Sequence, residues 1–139
     1  MKSVFAVVVA LVAWTAAADS QKQVFNNLAN EFAECAAYFA VMSIAMENSA
    51  EPDQAEAWNK QRDRALEFAA IVTKQAGLKE ETVGDRFNMA VQDMNKRIYK
   101  NTFNISILMA DYNDRCIEVM TDPKKRAQYW IERLAAPHQ

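Results

Sequence analysis

The sequence predicts an all-α protein, a small up-down helical bundle of four to five helices that follows an N-terminal signal peptide. Three observations carry that expectation. Apolar residues recur at steps of three and four along most of the chain, which is the spacing of one helix face. Gly is scarce at two residues and Pro at three, leaving little turn chemistry for a β fold. Hydrophobic residues make up 51% of the 139 residues, enough for one domain to bury a single core and too many for a disordered chain.

The first twenty residues, MKSVFAVVVALVAWTAAADS, set the compartment. Lys2 supplies a positive start, Val4 to Trp14 an apolar stretch, and Ala16, Ala17 and Ala18 the small residues that a signal peptidase requires. The apolar stretch is shorter than the roughly 20 residues of a spanning helix, and Asp19, Ser20 and Gln21 end it at once. Cleavage before Asp19 is therefore expected, with residues 1–18 as signal peptide and 19–139 as a single helical bundle domain, periplasmic or secreted. No stable membrane insertion is expected after that cleavage.

The first helix is predicted over about Gln21 to Asn48. Val24, Leu28, Phe32, Cys35, Phe39, Met42 and Met46 share one face, with Asn26, Asn27, Asn30, Glu31 and Glu34 as polar flanks. From Tyr38 to Met46 the helix is apolar almost all round, so that half is buried on several sides or meets a partner. Pro52 and Asp53 open a second helix, which Gly77 closes by adopting positive φ. Its buried stripe is Trp58, Ala65, Ala69, Val72 and Ala76, with Phe68 at the edge. Its outer face is expected to pair Lys60 with Asp63 and Arg64 with Glu67.

From Thr82 the stripe resumes through Val83, Phe87, Val91, Met94 and Ile98, and continues through Ile105, Leu108, Tyr112, Cys116 and Val119. Between these two sets lies NTFNIS, residues 101–106, where low helix propensity predicts a kink or break. A last helix is expected from Pro123 to about Ala135, capped by Thr121 or Asp122.

Cys35 and Cys116 are the only cysteines, both on predicted buried stripes of an exported chain, and an intramolecular disulfide is the first expectation. Unpaired core thiols or an intermolecular bridge are the alternatives. A 1.5 Å rise per residue places Cys35 about 20 Å along the first helix but Cys116 about 50 Å along an unbroken third one. A chain that turns back near residues 101–104 brings them level, so disulfide and break support each other.

Function is much less legible. Sixteen basic against 18 acidic residues, spread along the chain, argue against nucleic acid as the main partner, which requires a clear basic excess on one face. The only histidine, His138, is penultimate, and no nucleophile, acid/base pair or phosphate loop stands out, so no catalytic residue and no cofactor are assigned. Met42 and Met46, beside Cys35 and Phe39, have the spacing of a thioether metal site, but methionine on a stripe is ordinarily core filler. Asn104-Ile105-Ser106 fits a glycosylation pattern, and the flanking Phe103 and Ile105 argue for burial instead.

The best candidate partner surface is the last helix. Lys124, Lys125 and Arg126 occupy its first turn, where the helix dipole disfavours cations, and Arg126, Tyr129, Trp130 and Arg133 join cations to large aromatic rings. Replacing the three first-turn cations is expected to leave folding intact. The functional expectation is an exported non-catalytic protein acting through protein–protein interaction, as inhibitor, immunity-type protector, adaptor or chaperone-like binder, with another envelope or secreted protein as partner. The alternative is a carrier of a small apolar ligand or soft metal within the bundle.

Overall fold

The structure, a computed structural model, describes residues 18–136; the signal segment up to residue 17 and His138 lie outside the described residues. Five α-helices follow one another: α1 Ala18–Asn48, α2 Pro52–Gln75, α3 Glu81–Arg97, α4 Ser106–Thr121 and α5 Pro123–Ala135. A 3₁₀ turn, Thr102–Asn104, stands between α3 and α4, and no strand occurs among the described residues. None of these helices is long and apolar enough to cross a membrane.

α1 is the hub, packed against every other helix. Its apolar second half is covered on several sides, leaving Val41, Met42 and Ala45 buried while Ile44 stays exposed. The pairs that α2 makes with α1 descend in register, from Ser43 Oγ donating to the Ala55 carbonyl at 3.0 Å, through Phe39 stacked on Trp58, to Phe32 edge-on to Phe68. α2 is therefore antiparallel to α1. α3 runs parallel to it, beginning where Arg86 meets Asn26. After the 3₁₀ turn, where Asn48 donates to Thr102, α4 comes back down, pairing Asn113 with Tyr38 and then Arg115 with Glu34. On α2, Ala65, Phe68, Ala69, Val72 and Ala76 are buried, whereas Trp58 is only half-buried.

Cys35 and Cys116 meet across α1 and α4 as a disulfide, with Cα atoms 5.4 Å apart and both residues fully buried. The reversal between α3 and α4 makes this possible. It begins earlier than residue 101: α3 stops at Arg97, Ile98 is buried, and Tyr99 and Lys100 both take left-handed backbone, with φ of 56° and 55°. Phe103 is not buried as expected but 91% exposed. The chain fixes this segment through Asn101 Oδ1, which accepts from the Phe103 N–H, and Asn104 Nδ2, which donates to the Ile98 carbonyl.

Three helices end in one way. Ala50, Gly77 and Tyr99 each have positive φ, and each is followed by a residue whose N–H reaches back to the previous turn: Glu51 to Met46, Leu78 to Thr73, Lys100 to Asn95. This is the left-handed termination that satisfies the last helical carbonyls, and glycine suits it because it has no Cβ to clash. Only Gly77 meets that preference. Ala50 and Tyr99 adopt a conformation that disfavours an L-residue by about 1–2 kcal/mol, and both lie at the end of the bundle where Asn48 touches Thr102.

α5 begins at Pro123, and the Lys125 N–H donates to the Asp122 carboxylate at 3.1 Å, so Asp122 is the cap. On the outer face of α2 the ion pairs differ from expectation. Lys60 pairs with Glu56 and Arg62 with Asp63, the first of these having the favoured Glu-before-Lys order at i,i+4.

Candidate functional site

Three surfaces concentrate chemistry. The first is the turn between α3 and α4. Tyr99 is 81% exposed and Phe103 91%, so two aromatic rings stand in solvent on a segment tied down by the Asn101 and Asn104 hydrogen bonds. Ordinarily such rings bury their area, and ordered exposed aromatics mark contact surfaces. Lys96 and Lys100 are exposed beside them. Phe103 was expected to be buried, and nothing in the sequence marks Tyr99 as a left-handed residue.

The second surface is a cleft of ≈ 330 Å³ floored by Asn30 and Glu34 of α1 and walled by α3 and by Tyr112 of α4. Its polar groups are tied together. Asn30 Nδ2 donates to Glu34 Oε1 at 3.1 Å, and Arg115 donates to Glu34 Oε2 at 3.0 Å. Arg97 donates to Tyr112 Oη and pairs with Asp111. The guanidinium carbons of Arg97 and Arg115 lie 5.5 and 5.1 Å from the Tyr112 ring centre, and that ring stacks on buried Tyr38. Burial, reinforced by the charge of Asp114, pushes the Tyr38 hydroxyl up to about 12. Arg86 differs from the other cations here: its partners are the Asn26 carbonyl and side-chain oxygen, both uncharged.

The third surface is α5. Lys124, Lys125, Tyr129 and Arg133 are exposed, Arg126 and Trp130 half-buried. Arg126 turns inward onto Glu31, which is 3% exposed; its Nε lies 2.8 Å from both carboxylate oxygens, and a terminal nitrogen also bonds Oε1. That hydrogen bond raises the guanidinium above its ordinary value. Tyr129 lies between two cations, its ring centre 4.1 Å from the Arg126 carbon and 6.0 Å from that of Arg133. Trp130 joins the core edge, and its indole N–H is buried without a hydrogen-bond partner among the described residues.

This geometry corrects two expectations. Glu31 is not a polar flank of α1, because α5 covers it. Arg126 cannot be removed together with Lys124 and Lys125 at no expense to folding, since its loss strands a buried carboxylate. The six residues singled out on α5 do share one helix, but only Lys124, Lys125, Tyr129 and Arg133 offer substantial surface.

Metal chemistry gains little from the arrangement. Cys35 is spent in the disulfide, Met42 is buried in the core, and among the described residues no group of three or more His, Cys, Asp or Glu side chains is placed to hold an ion. Comparison with protein-family models, with curated proteins and with solved structures finds no match to this chain.

Proposed function

We propose that this is an exported, non-catalytic helical protein that works by binding another envelope or secreted protein, and that Tyr99 and Phe103 form its contact. One observation carries the reading. Tyr99 occupies a left-handed helix end that glycine would fill with less strain, yet its side chain is 81% exposed and so returns little burial energy to the fold. A large residue that strains the backbone without stabilising the core points to a role at the surface. Phe103, still more exposed, adds a second aromatic ring at that end. Two rigid aromatic rings flanked by lysines have the composition of a binding hot spot and its polar rim.

Export is supported by the leader pattern of residues 1–18 and by a disulfide between buried cysteines, which suits an oxidising compartment. The exposed cations of α5 lie toward the opposite end of α1, since Glu31 and Asn48 are about 25 Å apart along the helix. They are thus a separate surface, suited to electrostatic steering.

The test is capture from envelope extract by immobilised wild-type protein, Tyr99→Gly and Phe103→Ser. Both variants should stay folded, and Tyr99→Gly should melt no lower than wild type, while the partner held by wild type is lost. Equal recovery of that partner by all three forms would remove the aromatic turn from the binding surface.

A further inference from the structure

We propose that the cleft between α3 and α4 is a binding site for a short zwitterionic peptide, its carboxylate held by Arg86 and its amine by Asp93. Of the ionic groups around the cleft, Glu34 is neutralised by Arg115 and Arg97 by Asp111. Arg86 has only the two uncharged oxygens of Asn26, and Asp93 is exposed with no ion pair or side-chain hydrogen bond among the described residues. The internal pairing leaves one uncompensated cation and one uncompensated anion in the cleft wall, both on α3.

Their backbone spacing along α3 is the guide to the length of the ligand. Seven positions along a helix span about 10 Å and return to the same face after about two turns. Three residues of extended chain also span about 10 Å. A tripeptide laid along α3 therefore brings opposite charges to both ends at once, which a single amino acid is too short to do. Between the ends, Met89 is 69% exposed and Tyr112 presents an aromatic edge, giving apolar surface for side chains. Asn30 uses its amide N–H₂ on Glu34, and its amide oxygen has no hydrogen bond among the described residues, leaving an acceptor for a peptide N–H. The volume of ≈ 330 Å³ lies at the small end for ligand sites and matches a few small residues.

Arg86 spends one hydrogen of each terminal nitrogen on Asn26, and the edge formed by Nε–H and the remaining terminal hydrogen is what it can offer to two carboxylate oxygens. Charge assistance at both termini makes recognition depend on the free ends and not on the side chains of the peptide.

The probe is tri-alanine, titrated into the full-length processed protein with amide resonances recorded by NMR. The expected result is saturable shifts confined to the cleft lining, Asn30, Glu34, α3 residues 86–93 and Tyr112, at millimolar or lower peptide. N-acetyl-tri-alanine, lacking the amine, and tri-alanine amide, lacking the carboxylate, should each bind about tenfold more weakly, as for loss of one charge-assisted contact. Asp93→Asn should weaken tri-alanine by the same factor while leaving the already weak N-acetyl peptide unchanged. Arg86→Gln should do the converse with the amide peptide. Because Asp93 supports no other side chain, its variant keeps the test valid even if Arg86→Gln loosens the α1–α3 contact. Absence of saturable shifts, or equal binding of the blocked and free peptides, would overturn the proposal.

Discussion

Replacing Arg126 by Gln isolates one buried charge and gives the sharpest measurement on this fold. Two effects oppose each other. Arg126 stands in the first turn of α5, where removing a cation relieves an unfavourable dipole interaction of about 0.3–1 kcal/mol. Against that, Glu31 is 3% exposed and takes its bonds from Arg126, and removing one member of a buried pair destabilises by about 3–5 kcal/mol. The Arg126 side chain is 17% exposed, so water reaches its edge and the lower end of that range applies. Loss of the guanidinium from the Tyr129 face, at 4.1 Å, adds about 0.5–1 kcal/mol. Burial wins over the dipole, and the net expectation is a loss of about 3 kcal/mol, or roughly 10 °C in melting temperature for a domain of this size. Urea denaturation of wild type, Arg126→Gln, Glu31→Gln and the double variant gives the coupling directly. The double variant should recover much of the loss, because a neutral pair leaves no stranded charge. A single-variant loss below about 1 kcal/mol, or strict additivity in the double variant, would refute the assignment of this pair as a buried anchor.

Lys124→Gln with Lys125→Gln should leave stability within about 0.5 kcal/mol by the same denaturation, since the Lys125–Glu118 pair is exposed and 3.7 Å long. Tyr38 is held neutral with its hydroxyl raised to about 12, above the unfolded value of about 10, so its contribution is full below pH 10 and declines as pH rises toward 12. Ultraviolet titration should show one tyrosine ionising late, and a Tyr38→Phe variant should lack that late step. Cys35→Ala with Cys116→Ala should lower stability by about 4 kcal/mol, given the 81-residue separation and complete burial of the bridge, with melting followed by circular dichroism. N-terminal sequencing of exported material should begin at Asp19; full-length chain held in a membrane fraction would contradict the leader pattern.

The helical architecture was legible because its signals are local. Steps of three and four fix the buried stripes, Pro52 and Pro123 open helices, Asp122 caps one, and Gly77 closes another. Even the disulfide followed, because level cysteines and a broken third helix imply one another through a single rise per residue. What escaped is what depends on partners distant in sequence or on unmarked backbone. Glu31 looks like a solvent-facing flank until Arg126, 95 positions later, covers it. Tyr99 and Lys100 carry no glycine signature, so the reversal could not be placed at them, and Phe103 passed for a core residue. Arg86 and Asp93 are ordinary charges on α3 until the pairing of Glu34 and Arg97 with other residues leaves those two uncompensated.

The disulfide divides the chain topologically as well as linking it. Joining residues 35 and 116 closes a covalent ring that contains all of α2 and α3 and most of α4, while α5 hangs outside as a tail. Helices in the ring are tethered to α1 even when they open, so they recapture their places quickly. α5 has no such tether: beyond its short link to α4, packing at the core edge and the Arg126–Glu31 clasp hold it against α1. The ring closure thus places no covalent constraint on α5, and a local opening of that helix would uncover Glu31 while the ring stays closed.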